Sequence, residues 1–112
     1  MKMLLVRMKV PEEKRLELSQ TVSSLVSLIK IENGCINCSF FRSVESDMEF
    51  VFIEEWECGD DLKNHMRAAS FKVLKGVLNL SEEPHGMNVF TVFKPVRWER
   101  LRDQSDQQDI LK

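Results

Sequence analysis

Every second residue at the start of the chain is apolar, which is the pattern of a β-strand with one buried face. The residues of that face are Leu4, Val6, Met8 and Val10. Pro11 ends the strand and suits the first turn of a helix, because proline lacks an N–H that this turn would leave unpaired. Apolar residues then recur at steps of four, three and four residues, at Leu18, Val22, Leu25 and Ile29. This spacing predicts an amphipathic helix that packs on a sheet and ends near Asn33-Gly34.

The remainder of the chain predicts three more strands and two more helices. The strands cover residues 35–42, 50–57 and 87–94, and the helices cover residues 62–66 and 69–78. Only a short polar turn separates the first two of these strands, so they are expected to form a hairpin. Pro84 lies between the last helix and the last strand, where it stops the helix.

Strand, helix, strand, strand, helix, strand is the order of a ferredoxin-like α+β fold with an antiparallel sheet. Its helices can cover only one face of the sheet, and a large apolar patch on the other face would be exposed in a monomer. A second copy is therefore expected to cover that face and form a dimeric α/β barrel. In one assignment the open face carries Phe50, Phe52 and Trp56, and in the alternative it carries Val51 and Ile53.

The composition is that of an ordinary globular domain, with 43% hydrophobic and 30% charged residues in 112. A net charge of -2 gives no reason to expect a nucleic acid or an acidic membrane as partner. No apolar run approaches the roughly 20 residues that cross a bilayer. Arg7 and Lys9 interrupt the start of the chain before a signal-peptide core can form. A cytoplasmic location is therefore expected.

The three cysteines, Cys35, Cys38 and Cys58, are an odd number for a disulfide framework. Because Cys35 and Cys38 are three residues apart on one predicted strand, they are expected to point to opposite faces and not to pair. There is no second pair of cysteines to complete a zinc site. We interpret the three as small buried thiols in a reducing compartment.

Glu54 lies on the third predicted strand between apolar residues, and a carboxylate in such surroundings must be hydrogen-bonded, neutralised or functional. His65 lies on the helix that follows, so the two side chains can meet in one cavity and exchange a proton. The structural alternative is that His65 fastens this helix to the sheet. Trp56, Phe50 and Phe52 are candidate walls of a pocket for a flat aromatic molecule, or simply part of the core.

Asn37 and Arg7 supply polar atoms on the predicted strands. They are candidate donors to a phenol, ketone or enolate oxygen of a substrate, with a solvated polar network as the alternative. The sequence contains no phosphate-binding loop, dinucleotide fingerprint, nucleophile elbow or His-rich metal cluster. It therefore predicts neither a cofactor nor a metal.

The region after residue 53 carries a family pattern. Its elements are a strand ending in Glu-x-Trp, a short acidic turn, Leu-x-x-His and a helix start leading to Phe, here Glu54, Trp56, Leu62, His65, Ser70 and Phe71. Upstream, Glu32-Asn33-Gly34-Cys35 is similar to a Glu-x-Gly-Cys turn that opens a second strand. Together these segments resemble the antibiotic biosynthesis monooxygenase family of dimeric α+β barrels. The resemblance covers roughly residues 1–95, which we take as one domain, followed by a C-terminal arm over residues 96–112 that is expected to be partly disordered.

The resemblance implies a cofactor-independent monooxygenase that oxidises a small aromatic quinol or phenol with O2. In that chemistry the substrate is deprotonated in a dry pocket, and its anion itself gives an electron to O2. The implied proton acceptor is His65 or Glu54, the implied donor is Asn37 or Arg7, and the implied walls are Phe50, Phe52 and Trp56. The implied assembly is a homodimer with one pocket in each subunit.

The chain also departs from the family pattern. It contains no tyrosine, and Phe52 stands near a position where some polyketide-tailoring members carry a polar residue, which argues against a polyketide substrate. Haem-degrading relatives place a Trp and an axial His in the second helical region, where this chain has His65 and Lys75, so haem is disfavoured. An isomerase of small hydroxy-ketones and a non-catalytic binding module of the same fold are the remaining alternatives.

Overall fold

The computed structural model describes residues 1–82, 86–93 and 99 of the chain. Its elements in order are β1 (Lys2–Lys9), a 3-10 helix (Glu12–Lys14), α1 (Arg15–Lys30), β2 (Cys35–Arg42), β3 (Glu49–Trp56), α2 (Gly59–Met66), α3 (Ala69–Leu78) and β4 (Gly86–Thr91). This order confirms the predicted α+β class. The last residues of the predicted final strand and the arm over residues 96–112 lie largely outside the described residues.

The four strands form one antiparallel sheet in the order β2-β3-β1-β4. The hairpin of β2 and β3 is as predicted, and β1 lies between β3 and β4. The central position of β1 agrees with its sequence, since its buried residues Leu4, Val6 and Met8 are all apolar. This is the ferredoxin-like arrangement, with α1, α2 and α3 accompanying the sheet.

The core lies between the helices and one face of the sheet. The buried residues of α1 are Leu18, Val22, Leu25 and Ile29, the same four that its spacing predicts. On β1 the buried residues are Leu4, Val6 and Met8, and Val10 follows directly after the strand. One apolar stripe on each element therefore fixes how the first helix sits on the sheet.

The first assignment of β3, with its aromatic residues on the open face, is wrong. Phe50, Phe52 and Trp56 are buried on the helix-covered face, and Glu54 lies there with them. The reason is the register with β1, in which Leu4 pairs with Glu54, and paired residues place their side chains on the same face. The alternative assignment holds, in which Val51 and Ile53 face away from the helices.

The prediction that Cys35 and Cys38 point to opposite faces is also wrong. The register of β2 shifts between Cys35 and Asn37, so Cys35 pairs with Trp56 and Cys38 pairs with Glu54. Because this irregularity adds one residue to β2, both thiols lie on the helix-covered face. The three cysteines are free, and only Cys38 is buried, with Cys58 exposed.

Within the described residues, no helix is both long and apolar enough to span a membrane. In the same part of the chain, no group of three or more His, Cys, Asp or Glu side chains is arranged to hold a metal ion.

Candidate functional site

The candidate site forms where the end of β3 meets the start of the α2–α3 region. Alternation along β3 places both Glu54 and Trp56 on the face that the helices cover. The α2 helix begins at Gly59, and its spacing directs Leu62 and His65, three residues apart, toward the sheet. Glu54 is 0% exposed and His65 is 1% exposed. The structure therefore brings together the two residues that the sequence proposed as a proton-handling pair.

Direct hydrogen bonds join these side chains. His65 Nε2 lies 3.1 Å from Glu54 Oε2 and 3.0 Å from Glu54 Oε1. The Trp56 indole N–H donates to Glu54 Oε1 at 2.9 Å. The Trp56 ring also stacks on the imidazole, with centroids 4.7 Å apart. Two donors and one aromatic face thus hold the Glu54 carboxylate and the imidazole in fixed positions.

The other side of the imidazole contacts two residues that the sequence analysis did not propose for the site. His65 Nδ1 lies 2.9 Å from Glu32 Oε1, and the Ser70 hydroxyl donates to Glu32 Oε2 at 2.7 Å. Both residues belong to the segments that carry the family resemblance, which was the available clue. We call Glu32, Glu54, Trp56, His65 and Ser70 the histidine cluster.

A glycine shapes the turn that carries Glu32. Gly34 has a φ of +82°, a conformation that residues with a side chain rarely adopt. A Cβ at this position would also collide with the side chain of Asp61 on α2. The backbone N–H of Cys35 donates to the carbonyl of Glu32 at 3.1 Å. The close approach of this turn to α2 is what allows Glu32 to reach the imidazole.

Opposing effects act on the pKa of His65. Burial lowers it, while the hydrogen bonds and negative charges of Glu54 and Glu32 raise it, and the carboxylates prevail, so the pKa lies above its ordinary value of 6.5. In the protonated form, Nε2–H donates to Glu54 and Nδ1–H donates to Glu32. The imidazolium therefore bridges a fully buried carboxylate and one whose side chain is 23% exposed. Such a chain of hydrogen bonds can carry a proton from the interior toward solvent.

The structure does not bring all the proposed substrate-binding residues to this cluster. Asn37 pairs with Glu55 and Arg7 pairs with Val51, so both lie on the sheet face away from the helices, where they are exposed. Their assignment as donors to a substrate beside Glu54 is therefore not supported by this geometry. The period-two pattern shows that each strand has two faces but not which face the helices cover. Asn37 and Arg7 lie on the face that the helices do not cover.

A groove of about 670 Å³ runs between α1 and β2. Its lining residues are Arg15, Leu18, Ser19, Val22, Ser23, Val26, Lys30, Cys38, Ser39, Phe40, Phe41, Arg42 and Phe50. The rings of Phe40 and Phe50 stack with centroids 5.3 Å apart and planes within 1° of parallel. A groove of this size with an aromatic surface suits a small flat ligand.

The groove approaches the histidine cluster at Cys38. This buried thiol lines the groove and pairs with Glu54 on the neighbouring strand, so their side chains are adjacent on one face. Burial, followed by the charge of Glu54, raises the pKa of Cys38 to about 12, which makes it an inert thiol at neutral pH. Glu54 is not among the groove-lining residues. The side chain of Cys38 therefore lies between the groove and the buried Glu54 carboxylate.

Comparison with known proteins identifies the family of this chain. The model of the family described as antibiotic biosynthesis monooxygenase matches residues 1–76, which is more than half of the chain. The chain belongs to this family. No curated protein matches it in sequence.

Solved structures show the same fold as this family member. A conserved protein from Methanosarcina mazei Go1 has 22% identity, a TM-score of 0.76 and coverage of 82% of this chain and 92% of that one. A Deinococcus radiodurans protein bearing the family's name has 12% identity, a TM-score of 0.77 and coverage of 87% and 97%. A variant of SnoaB, a cofactor-independent oxygenase from Streptomyces nogalater, has 14% identity, a TM-score of 0.72 and coverage of 85% and 95%. Membership supports a monooxygenase-like function in general terms.

Proposed function

We propose that the protein is a cofactor-independent monooxygenase that oxidises a small aromatic quinol or phenol with O2. The observation that carries the proposal is the continuous chain of hydrogen bonds from Glu54 through His65 to Glu32. A buried carboxylate is an effective proton acceptor only if the proton has somewhere to go, and this chain leads to a partly exposed carboxylate. Membership of the family supports the same reaction class.

In the proposed reaction the substrate lies in the α1–β2 groove with its ring on the stacked Phe40 and Phe50. Its hydroxyl points toward Cys38 and, beyond it, Glu54. The hydroxyl proton passes to the Glu54 carboxylate once the intervening Cys38 side chain rotates aside. Glu54 then gives it to Nε2 of a neutral His65 whose own proton is on Nδ1, and Nδ1 releases that proton to Glu32. The carboxylate is therefore the base and the imidazole is the relay.

The electrons and atoms balance without a further reductant. The substrate anion gives one electron to O2, and the resulting radical pair combines to form a carbon–oxygen bond. Loss of water from this peroxide leaves one oxygen atom on the ring and gives a hydroxyquinone from a quinol. The protein's share is to deprotonate the substrate, orient it and exclude water around the anion.

Oxygen uptake with 1,4-dihydroxynaphthalene, in the presence of a chelator, tests the proposal. Glu54→Gln preserves the size and shape of the side chain but cannot accept the proton, so we expect kcat/KM to fall by roughly a hundredfold. Glu57→Gln is the matched control, because Glu57 is exposed just after the same strand. Equal turnover in the wild type and Glu54→Gln would reject the proposed base. Isomerisation of a hydroxy-ketone without oxygen uptake would favour an isomerase, and binding without turnover would favour a non-catalytic module.

We further propose that the protein acts as a homodimer joined through the open sheet face. That face carries Leu5, Val51 and Ile53, which are half-buried, and Phe90, which is 44% exposed. Apolar side chains that share one open sheet face are a common feature of interaction sites. Light scattering is expected to give a dimer for the wild type and a monomer for Ile53→Glu. A monomeric wild type would contradict this assembly.

We also propose that the protein is located in the cytoplasm. Its three free cysteines support this location, because thiols stay reduced there.

A further inference from the structure

Three cationic side chains line the α1–β2 groove. Arg15, Lys30 and Arg42 are among its lining residues, and none of its described lining residues is acidic. Arg42 also pairs with Asp47 at 2.9 Å, but the Asp47 side chain is 81% exposed and lies outside the groove. A concave surface lined by charges of one sign concentrates the opposite charge. The groove is therefore suited to an anionic ligand.

Arg15 adds an unsatisfied donor to this charge. Its Nε atom is buried and donates to no acceptor within the described part of the chain. Buried N–H groups in proteins are nearly always hydrogen-bonded, so a donor of this kind beside a groove indicates an acceptor that the described part of the chain does not supply. A carboxylate is the natural partner, because a guanidinium group can offer it two parallel N–H donors.

The topology places the two arginines of the groove away from its reactive end, where Lys30 lies near Cys38. The α1 helix and β2 run in opposite directions, so Arg15 at the start of α1 and Arg42 at the end of β2 lie at the same end. Cys38, which pairs with Glu54, is four residues from Arg42 along β2. This separation is about 13 Å, at roughly 3.3 Å for each strand residue. Phe40 lies between Cys38 and Arg42 on β2, and its stacking partner Phe50 pairs with Arg42 on the neighbouring strand.

We infer that the ligand of this groove is a flat aromatic carboxylate, bound through its carboxylate to Arg15 and Arg42 with its rings on Phe40 and Phe50. The distance of about 13 Å accommodates two or three fused rings with the acid at one end. Under the proposed function, this ligand is the substrate, and its oxidisable hydroxyl is the group farthest from the acid. The binding claim itself depends only on the groove.

Calorimetric titration with 2-naphthoate and with neutral 2-naphthol tests the inference without turnover. We expect the wild type to bind 2-naphthoate roughly tenfold or more tightly than 2-naphthol, since a charge-assisted bidentate contact is available only to the acid. Arg15→Gln should remove this preference. Lys14→Gln is the matched control, because it deletes the same charge from the preceding, exposed residue that does not line the groove. In NMR spectra, the Arg15 Nε–H resonance should shift with 2-naphthoate and not with 2-naphthol.

Equal affinity for the two probes, a preference that survives Arg15→Gln, or an equal loss in Lys14→Gln would each overturn the inference. Circular dichroism checks that Arg15→Gln is folded, and Arg15→Lys provides a second variant that keeps the charge and loses the forked geometry. It should keep only part of the preference.

Oxygen uptake separates this inference from the proposed function. Uptake with 1,4-dihydroxynaphthalene and 1,4-dihydroxy-2-naphthoate at equal kcat/KM would support the monooxygenase and overturn the carboxylate site. Binding of 2-naphthoate that depends on Arg15, with no oxygen uptake from either quinol, would support the carboxylate site and reject the monooxygenase.

Discussion

His65 in its protonated form is a cation between two acids, so replacing it tests whether charge holds the histidine cluster together. In His65→Leu, the fully buried Glu54 carboxylate loses its contacts to Nε2 at 3.0 and 3.1 Å and keeps only the donor from Trp56. Removing one partner of a buried ion pair costs about 3–5 kcal/mol, because the remaining charge stays buried and uncompensated. Domains of this size have an unfolding free energy of only about 5–15 kcal/mol. We therefore expect a large loss of stability, with Tm lower by roughly 10 °C or more.

Urea unfolding followed by circular dichroism measures this loss. The double variant His65→Leu/Glu54→Gln also removes the buried negative charge, so it should recover roughly half or more of the lost free energy. Asn64→Leu is the control, because Asn64 is exposed on the same helix and its replacement should change stability by no more than about 0.5 kcal/mol.

Two results would refute this reasoning. A loss below about 1 kcal/mol in His65→Leu would mean that the carboxylate is already neutral or compensated elsewhere. A double variant as unstable as the single one would mean that the imidazole contributes by packing against Trp56 and Phe71, rather than by pairing with the carboxylate.

Other predictions concern pH, the Glu32 turn and the thiols. The pKa of His65 in the folded protein lies above 6.5. The stability that its protonation contributes is therefore complete below about pH 6.5 and is lost as pH rises through that pKa. In Glu32→Gln, urea unfolding across this pH range should show a smaller loss of stability. Gly34→Ala should destabilise the fold by about 1–2 kcal/mol or more in thermal unfolding, owing to its φ of +82°, and an unchanged Tm would contradict this. An alkylating reagent at neutral pH should modify exposed Cys58 and spare Cys38 in mass spectra until the chain unfolds; early labelling of Cys38 would contradict its raised pKa.

Much of the fold could be predicted because α1 carries a single apolar stripe and every buried residue of β1 falls at alternate apolar positions. Their buried residues follow from spacing alone, and no information from the rest of the chain is needed. In β3, both faces carry apolar residues, so alternation cannot say which face meets the helices. The pairing of Leu4 with Glu54 decides that question, and this pairing is a property of the assembled sheet.

Only part of the candidate site could be predicted, for a similar reason. Glu54 and His65 are close in sequence and joined by one turn, so their meeting could be anticipated. Glu32 lies 33 residues before His65, and no local pattern reports a contact over that separation. The irregularity after Cys35 could not be predicted either, because one extra residue in a strand does not change the composition of the segment in a recognisable way.

The stacking of Trp56 on His65 gives the protein an internal optical probe. An imidazolium quenches indole fluorescence more strongly than a neutral imidazole, and here the ring centroids are 4.7 Å apart. The emission of Trp56 should therefore brighten as His65 loses its proton, in a chain whose other tryptophan, Trp98, has been replaced by phenylalanine. Proton occupancy at the centre of the cluster can thus be followed in real time, without a label and without knowing the substrate.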